Sequence, residues 1–276
     1  MRFNLLGAFE LVTDDGKTHT LSAPKMCQVL AVLLMRAGSV VSVDVLIQEL
    51  WGDHPPSSAM TTLQTYIYHS RRMLEQTGVT SADGPRLHTQ LPGYRIKADA
   101  TEVDVLEYER LVRESRMLLE RGRPELASRR MCDASALWRG PVLAGIAPGS
   151  VLAGHVAHLE ELRIRAIETR IEANERLGRT RETVPELRAL VATYPLNEWF
   201  HARLIVALGS SGRRVEALHA YDDVRRVLHK ELGLEPGPEL VRIKQEILGS
   251  SAEPVSLSLV DASGRVRPRR RTPFRT

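Results

Sequence analysis

The sequence predicts an α-rich chain of two domains: a winged helix-turn-helix (α+β, with an extra N-terminal β-sheet and a C-terminal β-hairpin wing), then an all-α, tetratricopeptide-like helical domain. Three observations predict it. Short apolar runs broken by Gly open the chain, three helical patterns follow, the third the longest, and a hairpin signal closes the first hundred residues. No strand pattern returns after Thr101. Two Gly-Arg pairs, Gly178-Arg179 and Gly212-Arg213, stand 34 residues apart, the period of tetratricopeptide repeats.

The elements follow in order. Arg2–Leu6, Phe9–Thr13 and Lys17–Leu21 read as strands of a small antiparallel sheet, with Gly7 and Asp14-Asp15-Gly16 as turns. Ser22 is expected to cap a helix over Ala23–Arg36, with Pro24 in its first turn. Its apolar side carries Met26, Val29, Leu30, Leu33 and Leu34, and Gly38 ends it. Ser42 caps Val43–Trp51, with Leu46, Ile47 and Leu50 inward and Gly52 as the stop. After the stiff turn His54-Pro55-Pro56 comes a helix from Ser58 to Gln76, closed by Gly78, with the inward stripe Leu63, Ile67, Ser70 and Leu74. Arg86–Gln90, Pro92-Gly93 and Tyr94–Lys97 read as strand, turn and strand. Seven helices are then expected: Val103–Arg121, Pro124–Trp138, Leu152–Leu177, Glu182–Thr193, Asn197–Ser210, Arg214–Leu232 and Pro238–Leu248. Trp138, Trp199 and Phe200 read as core. The domains are therefore placed at 1–97 and 98–249, with 250–276 as a disordered basic tail.

Composition bounds the function. The chain has 276 residues and is 43% hydrophobic and 26% charged, ordinary for globular domains. The pI of about 9.3 reports the tail: residues 1–97 hold 9 Lys/Arg against 8 Asp/Glu, 98–248 hold 23 against 24, and 249–276 hold 6 against 2. Arg265, Arg267, Arg269, Arg270 and Arg271 read first as a solvated charge run, with phosphate contacts lacking sequence preference as the alternative. No run approaches the roughly 20 apolar residues of a membrane span, and the N-terminus lacks a signal-peptide core. Cys27 and Cys132, one per domain, read as free buried thiols of a reducing cytoplasm. No cofactor or metal is expected: nucleophile elbows, phosphate loops and paired carboxylates near a His do not stand out. His155 and His158 share a helix face with no third ligand evident, so the chain does not read as an enzyme.

The 58–76 helix suggests double-stranded DNA as the partner. On its wheel Thr61, Thr65, Tyr68 and Arg72 point away from Leu63, and His69 and Arg71 flank them. Thr62 completes the hydrogen-bonding set. Arg can donate twice to guanine and Thr can meet a thymine methyl, so this face suits the major groove. Tyr94 and Arg95 are expected to reach the minor groove or backbone from the wing. Lys25, at the start of the first helix, is expected to meet a phosphate. A scaffold whose winged helix binds only protein is the rival reading, and promoter gel shifts separate the two.

These residues resemble the Streptomyces antibiotic regulatory protein family. The resemblance rests on Phe3-Asn4-Leu5-Leu6-Gly7, the segment from Val40 to Gly52 that ends Gln48-Glu49-Leu50-Trp51-Gly52, His54-Pro55-Pro56, Leu63-Gln64-Thr65-Tyr66-Ile67, Arg71-Arg72-Met73-Leu74 and Pro92-Gly93-Tyr94. It continues through Asp104, Glu107-Tyr108, Leu137-Trp138-Arg139-Gly140 and Glu231-Leu232-Gly233-Leu234-Glu235-Pro236-Gly237. The resemblance implies an OmpR/PhoB-type winged helix and a bacterial transcriptional activation domain. It further implies binding, expected as a homodimer, to direct repeats near the −35 region of antibiotic or pigment gene clusters. Recruitment of RNA polymerase would go through its sigma factor and through the C-terminal domain of its alpha chain. Larger relatives append an ATPase domain, and response regulators place a receiver domain first. Neither a phosphate loop nor a receiver is expected in this chain.

Overall fold

Phe3 and Leu11 alternate with more exposed neighbours, and this period of two sets the first sheet. The computed structural model describes residues 1–21, 23–77 and 85–249. β1 (Arg2–Asn4), β2 (Glu10–Val12) and β3 (Thr18–Thr20) are antiparallel in that order, with Phe3 opposite Leu11. The strands are shorter than the runs expected from sequence. Leu5 and Leu6 leave the ladder because their N–H groups donate to the buried carboxylate of Asp104, at 2.8 and 2.9 Å.

α1 (Pro24–Met35) has Ala23 as its N-cap, without a side-chain cap bond. Ser22, the expected cap, lies outside the described residues, as do Gly78 and the tail 250–276. The expected one-sided stripe is corrected: every residue from Cys27 to Met35 is buried, Ala31 and Val32 included. The reason is that α1 packs against α2 (Val43–Trp51), α3 (Ala59–Gln76) and β6 (Gly93–Ile96). A helix enclosed on all sides is apolar all round.

The Ser42 side chain accepts from the Val45 N–H at 3.4 Å and caps α2 as predicted, and Gly52 ends the helix at φ 61°. The α3 stripe Leu63, Ile67, Ser70 and Leu74 is buried as predicted, and the Ser70 hydroxyl donates to the Tyr66 carbonyl at 2.8 Å. A second sheet has the order β4 (Val41–Ser42), β6, β5 (Leu87–Gln90). β4 had no sequence signal, since two residues cannot display a period. It pairs Ser42 with Gly93, where a side chain has no room: a Cβ on Gly93 would stand 1.8 Å from the Val41 carbonyl oxygen.

Residues Met1–Ala173 form one compact unit, in which α4 (Asp104–Glu120), α5 (Pro124–Ser135) and most of α6 (Ser150–Arg176) pack with the winged-helix segment. Besides apolar contacts, two buried carboxylates make this junction. Asp104 holds Leu5 and Leu6 as above. Glu49 of α2 accepts from Gly149, Val151 and Leu152 at 2.6, 3.0 and 2.9 Å, serving as a cap for α6 from another element. Arg139 adds a pair with Glu10 at 2.5 Å. The helix expected over Pro124–Trp138 stops at Ser135, and Trp138 is half-buried, edge-on to Tyr108 with Arg163 over its ring at 4.3 Å.

The second unit starts at Asn174. A 3-10 turn (Thr180–Thr183) precedes α7 (Val184–Thr193), so the α-helix begins later than the expected Glu182, at a first turn that holds Pro185. α8 (Glu198–Ser210), capped by Asn197, is buried from Phe200 to Leu208 between α7, α9 (Arg214–Leu232) and α10 (Pro238–Gly249). The Gly-Arg pairs share one turn. Gly122, Gly178 and Gly212 have φ between 72° and 77°, and the following Arg N–H bonds back to Leu118, Asn174 or Leu208 at 2.9 to 3.0 Å. Gly122-Arg123 stands 56 residues before Gly178-Arg179, a longer interval than 34 because it holds the connection before α6 and α6 itself.

Burial sets a pH dependence. It pushes the imidazoles of His201 and His155 below the ordinary value of 6.5, with Arg36 and His158 acting in the same direction on His155. The unfolded chain therefore binds protons that the folded chain refuses. This part of the stability is complete above about pH 6.5 and is lost as pH falls below it. The urea midpoint is expected to fall between pH 7.5 and pH 5.5, and equal midpoints would contradict burial of these rings.

Candidate nucleic-acid interface

The interface begins at α3. Its stripe faces the core, so at about 100° per residue the opposite side must face out. Thr61, Thr65, Tyr68, His69 and Arg72 are all exposed, and Thr62 is half-buried at the edge. Tyr68, at 58% exposure, is unusually open for an aromatic, and the His69 ring stands edge-on to it at 5.5 Å. No acidic residue stands in the first turn of α3, and no side chain caps it. That end therefore presents the positive end of the helix dipole without a carboxylate against it.

The wing stands beside this face. In β6, Tyr94 and Ile96 share one side and Arg95 points to the other. Tyr94 is 7% exposed and belongs to the hydrophobic core. Its expected place at the groove is corrected, because alternation sends it inward with Ile96. Arg95 lies on the outer side, cross-strand to His88. Arg95 Nε and His88 Nε2 are both buried without a hydrogen-bond partner. Burial, with Lys97, Arg71 and Arg95 nearby, holds the His88 imidazole below its ordinary range.

Two further expected residues are engaged elsewhere. The exposed Lys25 side chain donates from its ammonium to the Leu50 carbonyl at 2.6 Å, at the C-terminal end of α2. Arg71 Nε donates to the Leu87 carbonyl at 2.9 Å, and its Nη2 donates to the Thr89 hydroxyl at 2.7 Å. Sequence reasoning missed Met60, Gln64 and Leu91. Met60 and Gln64 are exposed on the wing side of α3, and Leu91 at the wing tip is 91% exposed. Gln64 was legible, being one helical turn before Tyr68. Leu91 was not, since an apolar residue beside Pro carries no sign of its exposure.

Among the described residues no group of three or more His, Cys, Asp or Glu side chains is placed to hold a metal, and no helix is long and apolar enough to cross a membrane. His155 accepts from Arg36 at 3.4 Å and His158 lies 3.8 Å from Glu109.

Residues 16–96 match the family model "Transcriptional regulatory protein, C terminal", and 103–248 match "Bacterial transcriptional activator domain". Regulatory protein DnrI of Streptomyces peucetius is 41% identical over 251 residues, which cover 90% of this chain and 92% of DnrI. Regulatory protein AfsR of Streptomyces griseus is 34% identical over 92% of this chain, which spans only 25% of that longer protein. The structure of Mycobacterium tuberculosis EmbR in complex with a low affinity phosphopeptide superposes with a TM-score of 0.82 at 32% identity, covering 90% of this chain and 64% of EmbR. Regulators of this kind bind DNA and are not enzymes. Two family models in tandem and a relative matched almost end to end place the chain in the Streptomyces antibiotic regulatory protein family, as a transcriptional activator with an OmpR/PhoB-type domain followed by a bacterial transcriptional activator domain.

Proposed function

We propose that this activator binds direct repeats near the −35 region of promoters in an antibiotic biosynthesis gene cluster. In this reading two copies sit side by side on the DNA, in the cytoplasm, and recruit RNA polymerase through its sigma factor and through the C-terminal domain of its alpha chain. The observation that carries the reading is the outward face of α3, where Thr61, Thr65, Tyr68, His69 and Arg72 are exposed. Arg72 and the threonines read base edges, and Thr62 and Arg95 hold the flanking phosphates. Repeated half-sites one helical turn apart would place two such faces on the same side of the duplex.

Gel shifts with duplexes from upstream of the neighbouring genes test this. The full chain is expected to shift a subset of them, and footprints are expected to cover two repeats. Arg72→Ala is expected to cost roughly 1–3 kcal/mol of binding and to relax specificity at one base pair. Wild-type affinity in Arg72→Ala would refute the placing of the base-reading face.

A further inference from the structure

Adjacent arginines on α3 have different surroundings. Arg72 stands about 180° from Leu63 on the helix wheel, and Arg71 about 80°, toward the wing. Arg71 reaches β5 across 16 residues of sequence and uses two arms of its fork, one on the Leu87 carbonyl and one on the Thr89 hydroxyl. Among the described residues β5 is the edge strand of its sheet, bonded to β6. The Leu87 carbonyl is thus an outward edge group that Arg71 satisfies with a charge-assisted bond.

We infer that Arg71 is a positioning residue: it fastens the wing to the recognition helix, so that the two elements meet DNA in one fixed register. This rests on the DNA-binding reading above and assigns to Arg71 a role other than base contact. The fork is what makes the clamp directional, since two parallel arms resist rotation of the hairpin about the helix. The same guanidinium lies with Arg95 and Lys97 around His88, a set of like charges that suits a polyanion at the wing. Releasing the fork would leave β5, the outer strand of the wing, without its side-chain tie to α3, while β6 stays paired with β4.

The test uses a duplex that the full-length wild-type chain selects from a random-sequence pool. Arg71→Ala is expected to bind it roughly tenfold to a hundredfold more weakly. Guanine N7 protection in the major groove is expected to persist at saturating protein, while hydroxyl-radical protection opposite the wing disappears. Thr89→Val, which leaves α3 untouched, is expected to show a smaller loss of the same kind, and the double variant should be no worse than Arg71→Ala alone. Loss of one guanine's protection with the wing footprint intact would make Arg71 a base reader and overturn the inference. So would undiminished affinity, or additive effects of the two substitutions. Selection of no sequence by the wild-type chain would remove the DNA-binding reading itself, and this role with it.

Discussion

Glu49→Ala is expected to lower the unfolding free energy by about 2–4 kcal/mol, through the loss of a helix cap combined with newly unsatisfied buried amides. The Glu49 carboxylate is 2% exposed and accepts three N–H groups at the start of α6. These are donors that the first turn of a helix cannot satisfy from within. The Leu152 N–H is buried, so truncation leaves that donor unpaired, while the partly buried Gly149 and Val151 donors lose a charged acceptor. Gly149 sharpens the argument: a Cβ there would stand 2.0 Å from the Glu49 carbonyl oxygen, so the α6 start is pressed directly onto α2. Glu49→Gln should lose less, because one amide oxygen still accepts while the NH2 faces a donor. Urea denaturation followed by far-UV circular dichroism reads both values. A loss under about 0.5 kcal/mol for the alanine variant, the range of ordinary surface substitutions, would contradict the cap.

Gly93→Ala is expected to cost at least about 3 kcal/mol, at the upper end of overpacking penalties. The added Cβ would lie 1.8 Å from the Val41 oxygen and 2.7 Å from the Ser42 Cα, and both are backbone atoms that cannot rotate away. The backbone itself would have to separate. β4 would come off β6, and with it the bond from the Val43 N–H to the Pro92 carbonyl at 3.2 Å. That bond ties the wing turn to the first residue of α2, so DNA affinity is expected to fall even in conditions where the variant is still folded. Urea midpoints together with gel shifts check this. A variant as stable as wild type would show that β4 and β6 are further apart than described.

Much of this was legible locally. Ser42 capping α2, the buried stripe of α3 and the Gly-Arg turns were all visible because each depends on residues within about one helical turn. The exposed face of α3 followed from the same stripe. The pattern misled where local and tertiary signals diverge. α1 looked amphipathic at its strongest positions, yet its surroundings bury it whole. Tyr94 looked like a groove residue through its neighbours, although alternation with Ile96 already sent it inward.

From its residues alone the chain determined element types, their caps, and which side of α3 stays outside. Only the tertiary structure decided where the long polar side chains end: Arg71 on the wing, Lys25 on the end of α2, Glu49 on the start of α6, Asp104 on Leu5 and Leu6. The physical reason is range. A helical or strand period is a correlation over a few residues, whereas these partners lie 16 to 100 residues apart in the chain and meet only once the core has formed.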